Sequence, residues 1–191
     1  MTEKVDLRVQ KTKKALTDAF MNLLSENTFD DITVNELCLA AGIRRATFYK
    51  HYRDKYDFVS SVTKTLRERF DTRIWGKREY SSTAEYYVEY AKRIVGFISE
   101  NESAFDNLVK SNLFPTVISL ILEQNLEDTR ERLVKSVKNG LKLCASVDVV
   151  ANMCSGGVAS TIYSWVAGGR KKDPDTLSAE IGEIVKRIID N

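Results

Sequence analysis

The chain has 191 residues, 43% of them hydrophobic and 29% charged, with a net charge of +2. That is enough chain to bury at least one core, and the composition excludes a disordered or fibrous protein. One histidine, and three cysteines without a CxxC pair, argue against a zinc site or a disulfide framework and for a reducing cytoplasm.

The N-terminal "MTEKVDLRVQKTKK" carries charge with no apolar run behind it, so no secretory leader is expected. Leu16, Phe20, Leu23 and Leu24 then fall on one face of a helix, which the spacing predicts from about Leu7 to Ser25. After the break at "ENTFDD" comes a capping box: Thr33 is the N-cap, Glu36 reaches back, and Ile32 and Leu37 are placed as a hydrophobic staple. Val34, Leu37, Cys38 and Ala41 line one side of this short second helix, which makes Cys38 a small core residue, and Gly42 supplies the turn that ends it. A third helix is predicted over Arg44–Tyr52, with Phe48 and Tyr52 facing inward. Asp54 is the expected N-cap of a fourth, in which Phe58, Val62 and Leu66 repeat every four residues.

Beyond "GKREYSS", helices are predicted at about Thr83–Glu100, Ser103–Lys110, Pro115–Lys138, Val147–Val166 and Asp175–Asp190. The stretch from Val149 to Gly169 has no charge and is long enough to span a bilayer. Its asparagine, serines and glycines read instead as a buried helix of a soluble protein. No run alternates with period two for long enough to be a strand. The expected fold is therefore all-α with about nine helices, divided into a three-helix N-terminal domain over 1–55 and a larger helical domain over 56–191.

The stretch Gly42–Lys55, "GIRRATFYKHYRDK", concentrates basic and aromatic residues in an otherwise balanced chain. Two short helices joined by a glycine turn and backed by a first helix describe a helix-turn-helix, whose second helix enters the DNA major groove. Its N-terminal end carries Arg44, Arg45, Ala46 and Thr47; arginine can fork onto guanine, and the methyls can meet thymine. Tyr49 and Lys50 project away from the inward face, while His51 and Lys55 are placed to hold phosphates.

The run "ITVNELCLAAGIRRATFYKHYRDKYDFV" resembles the signature of the TetR family of bacterial transcriptional regulators. Thr33, Ala41, Gly42, Thr47, Phe48, Tyr49, His51, Tyr52 and Lys55 all fall on the family's pattern. The resemblance implies a homodimer that binds a palindromic operator, usually represses, and carries a small-molecule pocket and dimer interface in its C-terminal domain. Carried over position by position, it makes Thr47, Tyr49, His51 and Lys55 contacts to backbone or base, with Arg45 the base reader and Asn35 at a further contact position; Thr33, Arg44 and Lys50 complete the expected DNA-facing set. Arg44 departs from the pattern, which often has a capping Ser or Asn there; arginine cannot cap in that way. The tail "GGVASTIYSWVAGGRKKDPDTLSAEI" is similar to a subset of the family near regulators of dihydroxyacetone-kinase operons, some of which act through a protein partner.

In the C-terminal region Tyr86, Tyr90, Phe97, Phe105, Phe114, Tyr163 and Trp165 could line an effector pocket, although aromatics equally serve to fill a core. Gly156 and Gly157 sit inside a predicted helix at a propensity cost of about 1 kcal/mol each, which points to close helix–helix approach. With Leu177, Ile181, Ile184, Val185 and Ile188 on one stripe of the last helix, they form the expected dimer interface. No paired carboxylates, activated nucleophile or phosphate-binding glycine loop stands out, so neither enzymatic activity nor a cofactor is expected. The expected function is a ligand-responsive repressor; the alternative is a helical adaptor or co-activator that retains the fold and acts through a protein partner.

Overall fold

The computed structural model describes residues 7–75 and 82–189. Among them nine helices are found: α1 (Leu7–Glu26), α2 (Val34–Ala40), α3 (Arg45–Tyr49), α4 (Lys55–Trp75), α5 (Thr83–Glu100), α6 (Glu102–Lys110), α7 (Phe114–Lys138), α8 (Val147–Ala167) and α9 (Pro174–Ile189). No strand occurs among the described residues. The end expected at Asp190 lies outside them. Among the described residues no helix is long and apolar enough to cross a membrane.

The chain divides into two compact units, and the division is not the expected cut near residue 55. The first unit runs to Lys64 and takes in Asn101–Val117; the second comprises Thr65–Glu100 and Ile118–Asn191. The segment around α6 joins the first unit because α6 packs along α1. The Asn107 side-chain amide donates to the Leu24 carbonyl at 3.0 Å, satisfying a group near the open end of α1, and the Asn112 N–H donates to the Asp30 carboxylate at 2.9 Å.

The core of the first unit follows the predicted stripes. Leu16, Phe20 and Leu24 of α1 are buried with Leu37 and Cys38 of α2, Phe48 of α3 and Phe58 and Val62 of α4. The rings meet edge-on: Phe20 lies 6.2 Å from Phe29 and 5.5 Å from Phe58, and Tyr52 lies 5.2 Å from Phe58. Such pairs add about 0.5–1.5 kcal/mol each beyond the area they bury, which favours one arrangement of these four elements over a loosely packed alternative.

In the second unit α5 packs along α9. Leu177, Ile181, Val185 and Ile189 of α9 are buried, as are Ala84, Ala91, Val95 and Ile98 of α5. Gly182 allows the approach: a Cβ there would stand 2.9 Å from Val88 Cγ1. At α8, Ser146 caps the start by accepting from the Val149 N–H, and Val150, Ala151, Cys154 and Val166 are buried.

Candidate nucleic-acid interface

The site begins with the capping box. The Thr33 hydroxyl accepts from the Glu36 N–H at 3.2 Å and donates to the Glu36 carboxylate at 2.7 Å, which also accepts the Thr33 N–H at 2.8 Å. These bonds hold the Glu36 carboxyl below its ordinary pKa, the Thr33 side chain being the largest cause. The same bonds commit Thr33. A hydroxyl has one hydrogen to give, and here it goes to Glu36 rather than outward to a phosphate.

Helix α2 ends in a Schellman motif. Gly42 takes φ +66°, its N–H donates to the Leu39 carbonyl at 3.1 Å, and the Ile43 N–H donates to the Cys38 carbonyl at 2.9 Å. A side chain in that left-handed conformation would be strained, so glycine sets the angle at which the chain enters α3.

Helix α3 spans five residues, shorter than the Arg44–Tyr52 expected. Arg44 is its N-cap and makes no side-chain capping bond, so the departure from a capping residue carries no substitute in the free chain. After Tyr49 the chain tightens into a turn, with the His51 and Tyr52 N–H groups both donating to the Phe48 carbonyl. Phe48 and Tyr52 face inward as expected.

Opposite them the outer face is open. Arg44, Arg45, Ala46, Tyr49 and Lys50 are exposed, as is Asn35 on α2, while Thr47 and His51 are partly covered. Arg45 and Tyr49 stand one turn apart with the guanidinium carbon 5.9 Å from the ring centroid, so one exposed strip carries both. Asp54 caps α4 as predicted, accepting from the Tyr56 and Asp57 N–H groups at 2.8 Å.

Lys55 departs from the expectation. Its ammonium points into the protein, donating to the carbonyls of Phe29, Asp30 and Ile32 at 3.1 Å each. It also lies 4.4 Å over the Phe29 ring. All three ammonium donors are used, so the side chain has none left for a phosphate. The signal that could have indicated this is the string of carbonyls in the tight 28–32 turn, which need a donor from elsewhere.

The other expected sets are only partly assembled. Tyr86 and Tyr90 stack at 5.9 Å, and the Tyr90 hydroxyl donates to the Asn125 side-chain carbonyl at 3.1 Å. The Arg132 guanidinium lies 4.3 Å over Tyr86. Phe97 is on the same helix, α5, whereas Phe105 and Phe114 belong to the first unit and do not join this group. Trp165 serves the fold instead, because its indole N–H donates to the Lys172 carbonyl at 2.7 Å and pins the α8–α9 connection. Tyr163 is exposed.

Of the expected dimer stripe, Leu177, Ile181 and Val185 are buried within the chain, leaving Ile184 exposed and Ile188 partly so. Nothing lies within 4 Å of a Cβ built at Gly156 or Gly157, so the close approach inside the chain is at Gly182 instead. Among the described residues no cluster of His, Cys, Asp or Glu could hold a metal.

The family model for bacterial regulatory proteins of the tetR family matches residues 16–62, the stretch that builds α1 to α4 around this interface. That N-terminal stretch is thus of the TetR family. It is similar to the uncharacterized HTH-type transcriptional regulator YxbF of Bacillus subtilis, with 36% identity over 61 residues. That match covers 31% of this chain and 16% of the relative's length. A TetR-family regulator structure from Syntrophomonas wolfei superposes with a TM-score of 0.75 at 13% identity, covering 93% of this chain and 94% of that one. The transcriptional regulator FadR of Bacillus subtilis, solved in complex with stearoyl-CoA, gives 0.68 at 19% identity, covering 90% and 96%. The chain thus has the fold of these regulators over nearly its whole length.

Proposed function

We propose that the protein is a homodimeric repressor that binds a palindromic operator and is released by a small-molecule effector. The observation that carries the reading is the exposed Arg45–Tyr49 strip on a helix whose opposite face, Phe48, is fully buried. A rigid helix with a cationic, hydrogen-bonding outer face suits the major groove, with Arg45 on a guanine and Thr47, Tyr49, Lys50, His51 and Asn35 on backbone or base edges. Two-fold symmetry then sets the half-sites about 34–36 Å apart, or a multiple of that.

Dimerisation is supported by apolar side chains left uncovered: Val149 (52% exposed) and Met153 (61%) on α8, and Ile184 (59%) on α9. The open space beside Gly156 and Gly157 gives a partner helix room to come close. For the effector we propose a site in the second unit beside Tyr86, Tyr90 and Phe97. The Tyr90–Asn125 bond and the Arg132–Tyr86 contact put polar groups beside these rings, which suits an effector with both apolar and hydrogen-bonding parts.

Fluorescence anisotropy on the duplex upstream of the protein's own gene, across a salt series with random competitor, tests the reading. A specific complex should form and weaken steeply with salt. Equal affinity for operator and competitor would count against it and favour an adaptor that acts through a protein partner.

A further inference from the structure

The fully committed Lys55 ammonium carries an inference beyond DNA contact itself. We propose that Lys55 is a positioning residue: its ammonium closes the connection between α1 and α2, fixes where α2 starts against α4, and holds no DNA phosphate.

Three observations support this. First, the connection is a tight turn, with the Asp31 N–H donating to Thr28 and the Ile32 N–H to Phe29, both at 3.2 Å. The carbonyls of Asp30 and Ile32 accept no other backbone bond in that turn, and Lys55 supplies one to each. Second, the charge sits between two rings, 4.4 Å from the centroid of Phe29 and 6.0 Å from that of Tyr56, and those rings meet edge-on at 5.4 Å. The site is built for a cation. Third, Ile32 is followed directly by Thr33, the N-cap of α2. The ammonium therefore anchors the residue before the N-cap of the helix that presents Asn35, and it does so from the first residue of α4. On the other side of the same turn Asp30 is held by the Asn112 N–H, so the connection is gripped from two elements distant in sequence.

To reach a phosphate, Lys55 would have to give up all three carbonyl bonds and its place over the Phe29 ring. Exposed Arg44, Arg45 and Lys50 would give up far less.

The first test needs no DNA. In nitrogen-resolved proton NMR of the intact protein, one lysine ammonium should exchange slowly with water and be shifted by the Phe29 ring. It should vanish in Lys55→Met, and the amides of Thr33 to Glu36 should move in that variant. Absence of a protected ammonium from the wild-type spectrum overturns the proposal, even where Lys55→Met fails to fold.

The second test rests on the DNA-binding reading above. Lys55→Met should lower Tm by about 2–4 °C, the shift that the loss of a modest interaction produces in a protein of this length. It should weaken operator binding by the same factor at every salt concentration. A salt slope that becomes shallower by about 1.8 in the variant, the change that one missing phosphate partner on each of two subunits produces, overturns the proposal. If the wild-type protein binds no duplex, the DNA-binding reading fails while the ammonium signal still decides the role of Lys55.

Discussion

Arg45 shows how small energies sort roles on one exposed face. Its contact with the Tyr49 ring, 5.9 Å to the centroid, is worth about 0.5–1 kcal/mol at an exposed site. A bidentate bond to guanine is worth about 1–3 kcal/mol of discrimination, so the groove wins when DNA is present and the ring serves to hold the guanidinium ready. Arg45→Ala should therefore relax sequence preference at one base pair of each half-site by about 1–3 kcal/mol and leave preference elsewhere intact. Affinities for operators substituted at each position in turn check this; a loss of affinity shared evenly by all sequences would reassign Arg45 to the phosphates. At this scale the sequence is readable wherever the signal is local. Thr33 and Glu36 are three residues apart, and Gly42 acts within its own turn, so spacing alone identifies them. The destination of Lys55 lies 23 to 26 residues away, and nothing in its immediate neighbourhood points there.

At the scale of elements, helical periodicity identifies a buried face but not what covers it. The α9 stripe announces an apolar side, yet it has the same appearance whether α5 of the same chain or a helix of a second copy lies on it. The structure assigns most of that stripe to α5, and Gly182 marks the contact. It stands in the sequence as one small residue among apolar ones, whereas the more conspicuous pair, Gly156 and Gly157, is open on this side. The contrast can be measured. Gly182→Ala places a methyl 2.9 and 3.1 Å from the two Val88 methyls, so α5 and α9 must shift or Val88 must turn. Overpacking of this kind costs about 1–3 kcal/mol, which outweighs the roughly 1 kcal/mol that alanine gains over glycine in a helix. Thermal unfolding should show a lower Tm. A raised Tm would mean that Val88 turns freely and the helices are not in tight contact.

For the whole molecule, the relevant question is what covers the apolar residues that one chain leaves in water. Single exposed apolar residues are normal on any protein, so Val149 or Ile184 alone would carry no weight. On α8, however, Val149 and Met153 lie one turn apart, Gly156 and Gly157 follow on the next turn, and Tyr163 stands further along, all of them exposed or partly so. A helix face with large apolar residues at one end and room for a backbone in the middle matches a helix–helix interface, and a stable one buries about 800 Å² on each partner. Met153→Glu and Ile184→Glu therefore separate assembly from folding. Both side chains are more than half exposed in the single chain, so a carboxylate there costs the fold little. Across a dimer axis each would bring two carboxylates together in a dry interface, an unfavourable arrangement of like charges. Sedimentation velocity at micromolar concentration should find the wild-type protein dimeric and the double variant monomeric, with helix content by circular dichroism unchanged. Operator affinity should fall with it, because two recognition helices on one particle bind with an effective concentration that separate chains lack. A double variant that stays dimeric would place the interface on another face, and a wild-type monomer would remove the symmetric-operator reading altogether.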